Sequence, residues 1–356
     1  MKKLFTEYQL GKITLKNRMV MAPLTRGRAN PDATPNSLMA EYYAQRASAG
    51  LIITEATAID PMGYGWVNAP GIFSKNHLVG WKSVTQVVHN QGGKIFLQLW
   101  HMGRVSHPDF LGGKLPLAPS AIKVSFSTNT PLGKKEYVTP RALETEEIPE
   151  IVNQYVRAGE MAMQAGFDGV EIHAANGYLP DQFLRDGSNQ RTDIYGGSIE
   201  NRTRFLLEVV EGLNHAIGSD RVGVRISPRN PFNGMSDSDP LNLFCFVAAE
   251  LSRRGILYLH SMEPLEGHRF SADGARVSPA LKTKFQGTFI INGNLTCDSG
   301  EALLESNQAD LIAYGVAFLA NPDLVERFKK NAPLNEPEMA TFYGGGAKGY
   351  IDYPTL

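Results

Sequence analysis

The chain of 356 residues holds only two cysteines, Cys245 and Cys297. Two isolated thiols make neither a disulfide framework nor a thiolate metal site, and their scarcity points to a reducing compartment. An excess of charge of either sign is also missing: 35 basic and 36 acidic residues leave a net charge of -1. Such a chain generates no field to hold a nucleic-acid backbone or an anionic bilayer, so neither is an expected partner. No apolar run reaches the ~18 residues of a transmembrane helix, and Thr6, Glu7, Tyr8 and Gln9 interrupt any signal-peptide core. The expected location is the cytoplasm, where the sequons at Asn201 and Asn294 carry no meaning.

Several catalytic signatures are absent as well. There is no G-x-S-x-G elbow, H-E-x-x-H or C-x-x-C, which removes support for a serine hydrolase or a zinc enzyme. Gly344-Gly345-Gly346-Ala347-Lys348-Gly349 fits G-x-G-x-x-G, yet no strand precedes it and no βαβ unit follows, so it reads as a glycine-rich loop. His101 and His107 stand at a spacing that neither helix nor strand brings onto one metal. They read as surface or packing residues, and no metal site is expected.

What the chain does have is punctuation, with 35 glycines and 21 prolines. Short β-branched or aliphatic runs alternate with amphipathic stretches. The runs lie at Arg18 to Met21, Leu51 to Thr54, Lys94 to Leu99, Gly169 to His173, Arg221 to Ile226, Gly255 to His260, Thr288 to Asn292 and Asp310 to Tyr314. Helix signals follow each. Thr34 reads as an N-cap with Pro35 in the first turn and Gly50 as the stop. Asp239-Pro240 opens a helix that ends before Gly255, Asn321-Pro322 opens another, and the stripe from Ile199 to Ile217 stops at Gly218. Eight βα units with no linker between them predict an α/β fold: a single (β/α)8 TIM barrel, one domain over residues 1–356, rather than two domains. The stretch at about 100–148 is too long for a βα loop and reads as a hairpin-bearing insertion after the third strand, with alternating segments near 123–127 and 136–139. Residues 1–17, turning at Gly11, read as a short lid over the barrel's bottom.

Barrel strands send alternate side chains to the axis and to the helices. In Ile95-Phe96-Leu97-Gln98-Leu99-Trp100 the aliphatic face suits the helices, which turns Gln98 inward. The same parity turns Glu171 and His173 inward on the fourth strand and Arg225 on the fifth. Three strands thus aim polar groups at one volume near the C-terminal rim, where this fold carries its active sites. At the ends of strands seven and eight, Asn292-Gly293-Asn294 and Tyr314-Gly315 offer backbone N–H groups to a phosphate-sized anion. The pocket so described suits an elongated ligand with a polar ring.

Several segments resemble the Old Yellow Enzyme family of FMN-dependent ene-reductases: Ala22-Pro23-Leu24-Thr25-Arg26, Gln98-Leu99-Trp100-His101, His173-Ala174-Ala175-Asn176-Gly177-Tyr178-Leu179, the run from Asn189 to Arg202, and Asn321-Pro322-Asp323-Leu324. The C-terminal Tyr343-Gly344-Gly345-Gly346, with Tyr350 to Leu356, resembles the bacterial N-ethylmaleimide reductase branch. The resemblance spans essentially the whole chain. It implies FMN across the barrel mouth, with Pro23, Leu24, Thr25 and Ala56 along the isoalloxazine, Gln98 on its pyrimidine edge, and Arg225 by N1 and the C2 carbonyl. Gly293, Asn294, Gly315 and Val316 fall at the phosphate. His173 and Asn176 would grip the oxygen of an activated alkene, and Tyr178 would protonate the α-carbon. NADPH or NADH would reduce the flavin in the same pocket and leave, a ping-pong order that needs no dinucleotide fold. Trp66, Trp100 and Tyr343 are candidate pocket walls, and a monomer is implied.

Two other readings of the inward polar residues stay open on sequence: a flavin-independent lyase or isomerase barrel reusing His173 and Arg225, and a flavin-binding barrel with little turnover. No Schiff-base lysine stands at a strand end to favour the first, and the intact His173, Asn176 and Tyr178 set speaks against the second. One position departs from the family pattern: after strand eight the usual Gly-Arg, whose arginine binds the FMN phosphate, is Gly315-Val316. A charged hydrogen bond is worth about 1.5–3 kcal/mol, or roughly ten- to a hundredfold in affinity. Val316→Arg is therefore expected to lower the FMN dissociation constant by that factor in a flavin titration. An unchanged value would mean that the phosphate is paired elsewhere.

Overall fold

A computed structural model describes residues 2–263 and 275–356. Among them eight parallel strands form a closed ring: β1 (Met19–Met21), β2 (Leu51–Ile53), β3 (Ile95–Trp100), β4 (Gly169–Ala174), β5 (Val222–Ile226), β6 (Tyr258–Met262), β7 (Thr288–Asn292) and β8 (Leu311–Tyr314). Each pairs with its successor, and β8 pairs with β1. All eight expected strands are present. The sixth begins later than expected because Gly255, at φ 63°, still belongs to the turn that ends the preceding helix.

The alternation rule explains where the core lies. Ile95, Leu97, Leu99, Val170, Ile172, Val222 and Val224 pack outward in one large cluster with the helices. Their neighbours Val20, Leu51, Ile53, Phe96, Tyr258, Ile290 and Leu311 form a second cluster that fills the lower lumen. Leu10 and Leu15 belong to this second cluster. They come from the antiparallel hairpin Tyr8–Leu10 and Ile13–Leu15, which seals the barrel's bottom as the expected lid.

Helix boundaries follow the caps, with two corrections. The first helix, Ser37–Gln45, is capped by Asn36, whose side chain accepts from Met39 N at 3.2 Å, so Thr34 and Pro35 lie outside it. It ends at Gln45, well before Gly50. Similarly Asn321-Pro322 does not open a helix: Asn321 stands in extended backbone between Val316–Ala320 and Leu324–Lys330. The helices Ile199–Ile217 and Pro240–Arg253 lie as expected, with Gly218 and Asp239 as their caps. The insertion between Trp100 and Ile148 does carry a hairpin, but its strands are Ser127–Thr130 and Gly133–Glu136. The shift comes from the turn at Pro131-Leu132, which centres the pair inside the two segments expected.

Gly223 on β5 meets a strict steric demand. A Cβ there would stand 2.1 Å from Cζ of Tyr258, whose ring crosses the lumen beside it. Overpacking of this kind costs about 1–3 kcal/mol. Gly223→Ala should lower the thermal unfolding midpoint by several degrees, and Tyr258→Ala in the same chain should make the glycine replacement nearly neutral. Additive losses in the double variant would contradict the contact.

Candidate active site

Strand register assembles the polar residues above the apolar plug. Gln98 pairs with Glu171, His173 with Arg225, and Arg225 with His260. Burial makes their mutual hydrogen bonds obligatory. Gln98 Nε2 donates to Glu171 Oε1 at 2.7 Å, and the other carboxylate oxygen lies 2.9 Å from His260 Nδ1. A carboxylate only accepts, so the Gln98 amide is oriented by it and keeps its carbonyl oxygen for the cavity. Burial holds the His260 pKa below 6.5 against the pull of Glu171, so the neutral ring donates through Nδ1. Arg225 Nη2 donates to Asn292 Oδ1 at 2.9 Å, and Asn292 Nδ2 donates to the Ala313 carbonyl at 2.8 Å. This ties the guanidinium to the ends of β7 and β8.

A cavity of ≈ 540 Å³ opens over these groups. Its wall includes Pro23, Leu24, Thr25 and Ala56 from the ends of the first two βα units, Gln98, His173, Asn176, Tyr178 and Arg225 from the middle strands, and Gly293, Asn294, Gly315 and Val316 at its far end. Trp66 and Tyr343 also line it, edge to face at 5.5 Å. Trp100 does not. It is fully buried behind Tyr178, with the two rings T-shaped at 5.1 Å, because the insertion folds over the strand end and covers it. His101 and His107 are both buried packing residues and not surface ones.

Sequence reasoning missed His260, although the same parity turns it inward with Tyr258. It also missed Asn230 and Phe232 of the loop after β5, and Asn335, Glu336 and Phe342 of the C-terminal segment. No periodic signal marks these, since they reach the cavity only through the fold. Asn321, Asn335 and Glu336 join the glycine-bearing far end. Among the described residues no lysine or arginine lines that end. The C-terminal wall is held by buried arginines: Arg26 Nε donates to the Phe342 carbonyl and its Nη2 to that of Gly349, both at 2.8 Å, while Arg28 Nη2 donates to the Thr341 carbonyl at 2.7 Å.

Among the described residues, His173 Nδ1 and Arg225 Nε are buried without a hydrogen-bond partner. Such groups are costly unless a ligand engages them, more so when charged. A cationic N–H beside an amide carbonyl fits the carbonyl and N–H edge of a flavin pyrimidine ring. Burial, reinforced by Arg225 and His260, drives the His173 imidazole well below 6.5, so it stays neutral. Burial likewise lifts the Tyr178 phenol above its ordinary 10, with Tyr137 and Tyr343 adding to the shift and Arg225 opposing it. Their rings meet edge to face at 4.7 Å.

Residues 3–335 match the NADH:flavin oxidoreductase / NADH oxidase family, and the fold superposes on the old yellow enzyme homologue of Zymomonas mobilis with a TM-score of 0.98. The chain belongs to the Old Yellow Enzyme family. Identity to the Zymomonas protein is 46%, covering 99% of this chain and 100% of that one. A second similar structure is morphinone reductase in complex with tetrahydroNAD, with a TM-score of 0.94, 48% identity, and coverage of 100% of this chain and 98% of that one. The probable flavin mononucleotide-dependent alkene reductase of Leishmania infantum is 45% identical, over 98% of this chain and 96% of that protein. This Old Yellow Enzyme family member is accordingly an FMN-dependent oxidoreductase.

The electrostatics can be checked directly. An imidazole ¹⁵N NMR titration should find His173 still neutral well below its ordinary value near 6.5, since burial shifts it downward. Arg225→Met removes the neighbouring positive charge and should raise that pKa. A value of 6.5 or above in the unaltered protein would contradict the site's dryness.

Proposed function

We propose that this protein is an NAD(P)H-dependent ene-reductase of the N-ethylmaleimide reductase type, acting on α,β-unsaturated carbonyls, maleimides or nitroalkenes. The observation that carries the reading is that one cavity joins two sets of groups. Gln98 and Arg225 offer a carbonyl and a cationic edge, while His173, Asn176 and Tyr178 offer neutral donors. The kinship to an alkene reductase and to a reductase that binds tetrahydroNAD is consistent with it.

Pro23, Leu24, Thr25 and Ala56 would lie along the isoalloxazine, Gln98 and Arg225 would hold its pyrimidine edge, and Gly293, Asn294, Gly315 and Val316 would meet its phosphate. FMN, when bound, supplies two-electron chemistry: a hydride taken from NADPH or NADH and given to the alkene β-carbon. Arg225 would hold a fixed positive charge at that pyrimidine edge, in place before any transfer and needing no reorganisation. His173 and Asn176 bind the carbonyl or nitro oxygen, drawing electrons from the double bond and stabilising the charge that develops there. Tyr178 keeps its proton throughout the neutral range and delivers it to the α-carbon.

Tyr137 of the insertion packs with Tyr178 and Trp100 in a buried cluster, which shields that proton from water. Both cysteines are unpaired, and no described helix is long and apolar enough to cross a membrane, which supports a cytoplasmic enzyme. Its one-domain build is supported by the C-terminal segment bonding back to Arg26 and Arg28.

Two half-reactions separate the roles. Tyr178→Phe should slow reoxidation of reduced flavin by cyclohexenone about 10²- to 10⁴-fold, while anaerobic reduction by NADPH stays nearly unchanged. Equal slowing of both halves contradicts the proton-donor role.

A further inference from the structure

Asn176 adopts φ 58°, a left-handed conformation that asparagine tolerates better than most residues. Three groups of the loop after β5 grip it. Its N–H donates to Ser227 Oγ, its carbonyl accepts from Asn233 Nδ2, and its Oδ1 accepts from Asn230 Nδ2, each at 2.8 Å. The first two contacts fix the backbone and the third fixes the amide.

The orientation of that amide follows by elimination. Asn230 Oδ1 accepts from the backbone N–H of Phe232 at 3.0 Å, and a backbone N–H only donates. The Asn230 amide must therefore turn its NH2 the other way, toward Asn176. The Asn176 atom that meets it must accept, so it is the oxygen. The Asn176 NH2, which has no partner among the described residues, is left for the cavity. Asn230 is itself immobile: it is 2% exposed, its N–H donates to the Ser227 carbonyl at 3.2 Å, and its carbonyl accepts from Arg185 Nη1 at 3.3 Å.

We propose that Asn230 is a positioning residue that sets the polarity of the oxygen-binding site, locking Asn176 with its donor toward the cavity. The site then selects ligands whose oxygen only accepts, carbonyl and nitro groups, over groups that present a donor at that point. This rests on the assignment of Asn176 to the substrate oxygen made above.

The near-isosteric Asn230→Asp tests it. One carboxylate oxygen keeps the Phe232 N–H, and the other faces Asn176, where acceptor cannot meet acceptor. The Asn176 amide must turn over and present its carbonyl to the cavity. With flavin reduced by dithionite, reoxidation by cyclohexenone should slow about 10²- to 10³-fold, the usual loss for one oxyanion donor, with a raised apparent dissociation constant for the enone. Asn230→Ala removes the bias without inverting it, so its loss should be only about tenfold, that of one neutral hydrogen bond. The expected order, unaltered protein faster than alanine and alanine faster than aspartate, is the reverse of a packing role, in which the truncated side chain does the greater damage.

Flavin content and thermal midpoint monitor folding. Should Asn230→Asp not retain flavin, Asn230→Ala decides alone, and an unchanged rate in it overturns the proposal. Asn176→Ala separates the oxygen site from the residue that orients it. If it leaves reoxidation unchanged, the oxygen-site reading fails and the proposal with it. If it slows reoxidation a hundredfold while aspartate at 230 matches the unaltered protein or exceeds alanine, the positioning role alone is overturned.

Discussion

The side of the cavity that carries Asn176 and Tyr178 hangs on one buried ion pair. Arg185 Nε bonds Asp181 Oδ1 at 2.9 Å, and both side chains are almost wholly out of water. Burial pushes the Asp181 carboxyl above its ordinary value, and Arg185 is the nearest charge that pulls it back. Removing either partner would strand a buried charge, at a cost of about 3–5 kcal/mol. The remaining valences connect three segments. Asp181 Oδ2 accepts from Gly177 N at 2.9 Å, Arg185 Nη1 reaches the Asn230 carbonyl, and Nη2 reaches that of Ser227. The turn after β4, the short helix Leu179–Leu184 and the loop after β5 are thus tied together through this pair. Asn176 and Tyr178 inherit from it their positions relative to His173 on β4.

Strand parity separates the two faces of β3, β4 and β5 because the outer face is uniformly aliphatic, so Gln98, Glu171, His173 and Arg225 are legible at once. The same parity assigns Trp100 to the inner face, yet parity names a side and not a neighbour. The neighbour is the insertion, whose docking no local pattern encodes. Caps are legible but degenerate: Thr34 and Asn36 are both good N-caps, and which one serves is decided by where the chain leaves the extended loop. Asn230, Asn233 and Glu336 carry no signal, since their significance lies wholly in what tertiary contact sets beside them.

Near-neutral composition conceals a division of labour among the cations. Arg26, Arg28 and Arg46 are buried and spend most of their donors on backbone carbonyls rather than on carboxylates. Only a guanidinium, with five donors in a rigid fork, can tie several carbonyls of a loop from one interior position. Tyr350 completes the joint, stacked on Tyr42 at 4.1 Å with the Arg28 guanidinium 4.5 Å from its ring. The far end of the cavity is built the opposite way, from amides, glycine backbone and one carboxylate, Glu336.

That joint has a temporal meaning. The loop after β1 carries Pro23, Leu24 and Thr25, and the wall facing the same space carries Phe342 and Tyr343, more than three hundred positions further along the chain. Domains assemble from the N-terminus as synthesis proceeds at about 5–20 residues per second. The β1 end must then wait some tens of seconds, holding Arg26 and Arg28 without the carbonyls they will bind. A nascent chain stalled short of residue 341 has β8 to close its ring but lacks Phe342 and Tyr343, and with them one wall of the cavity.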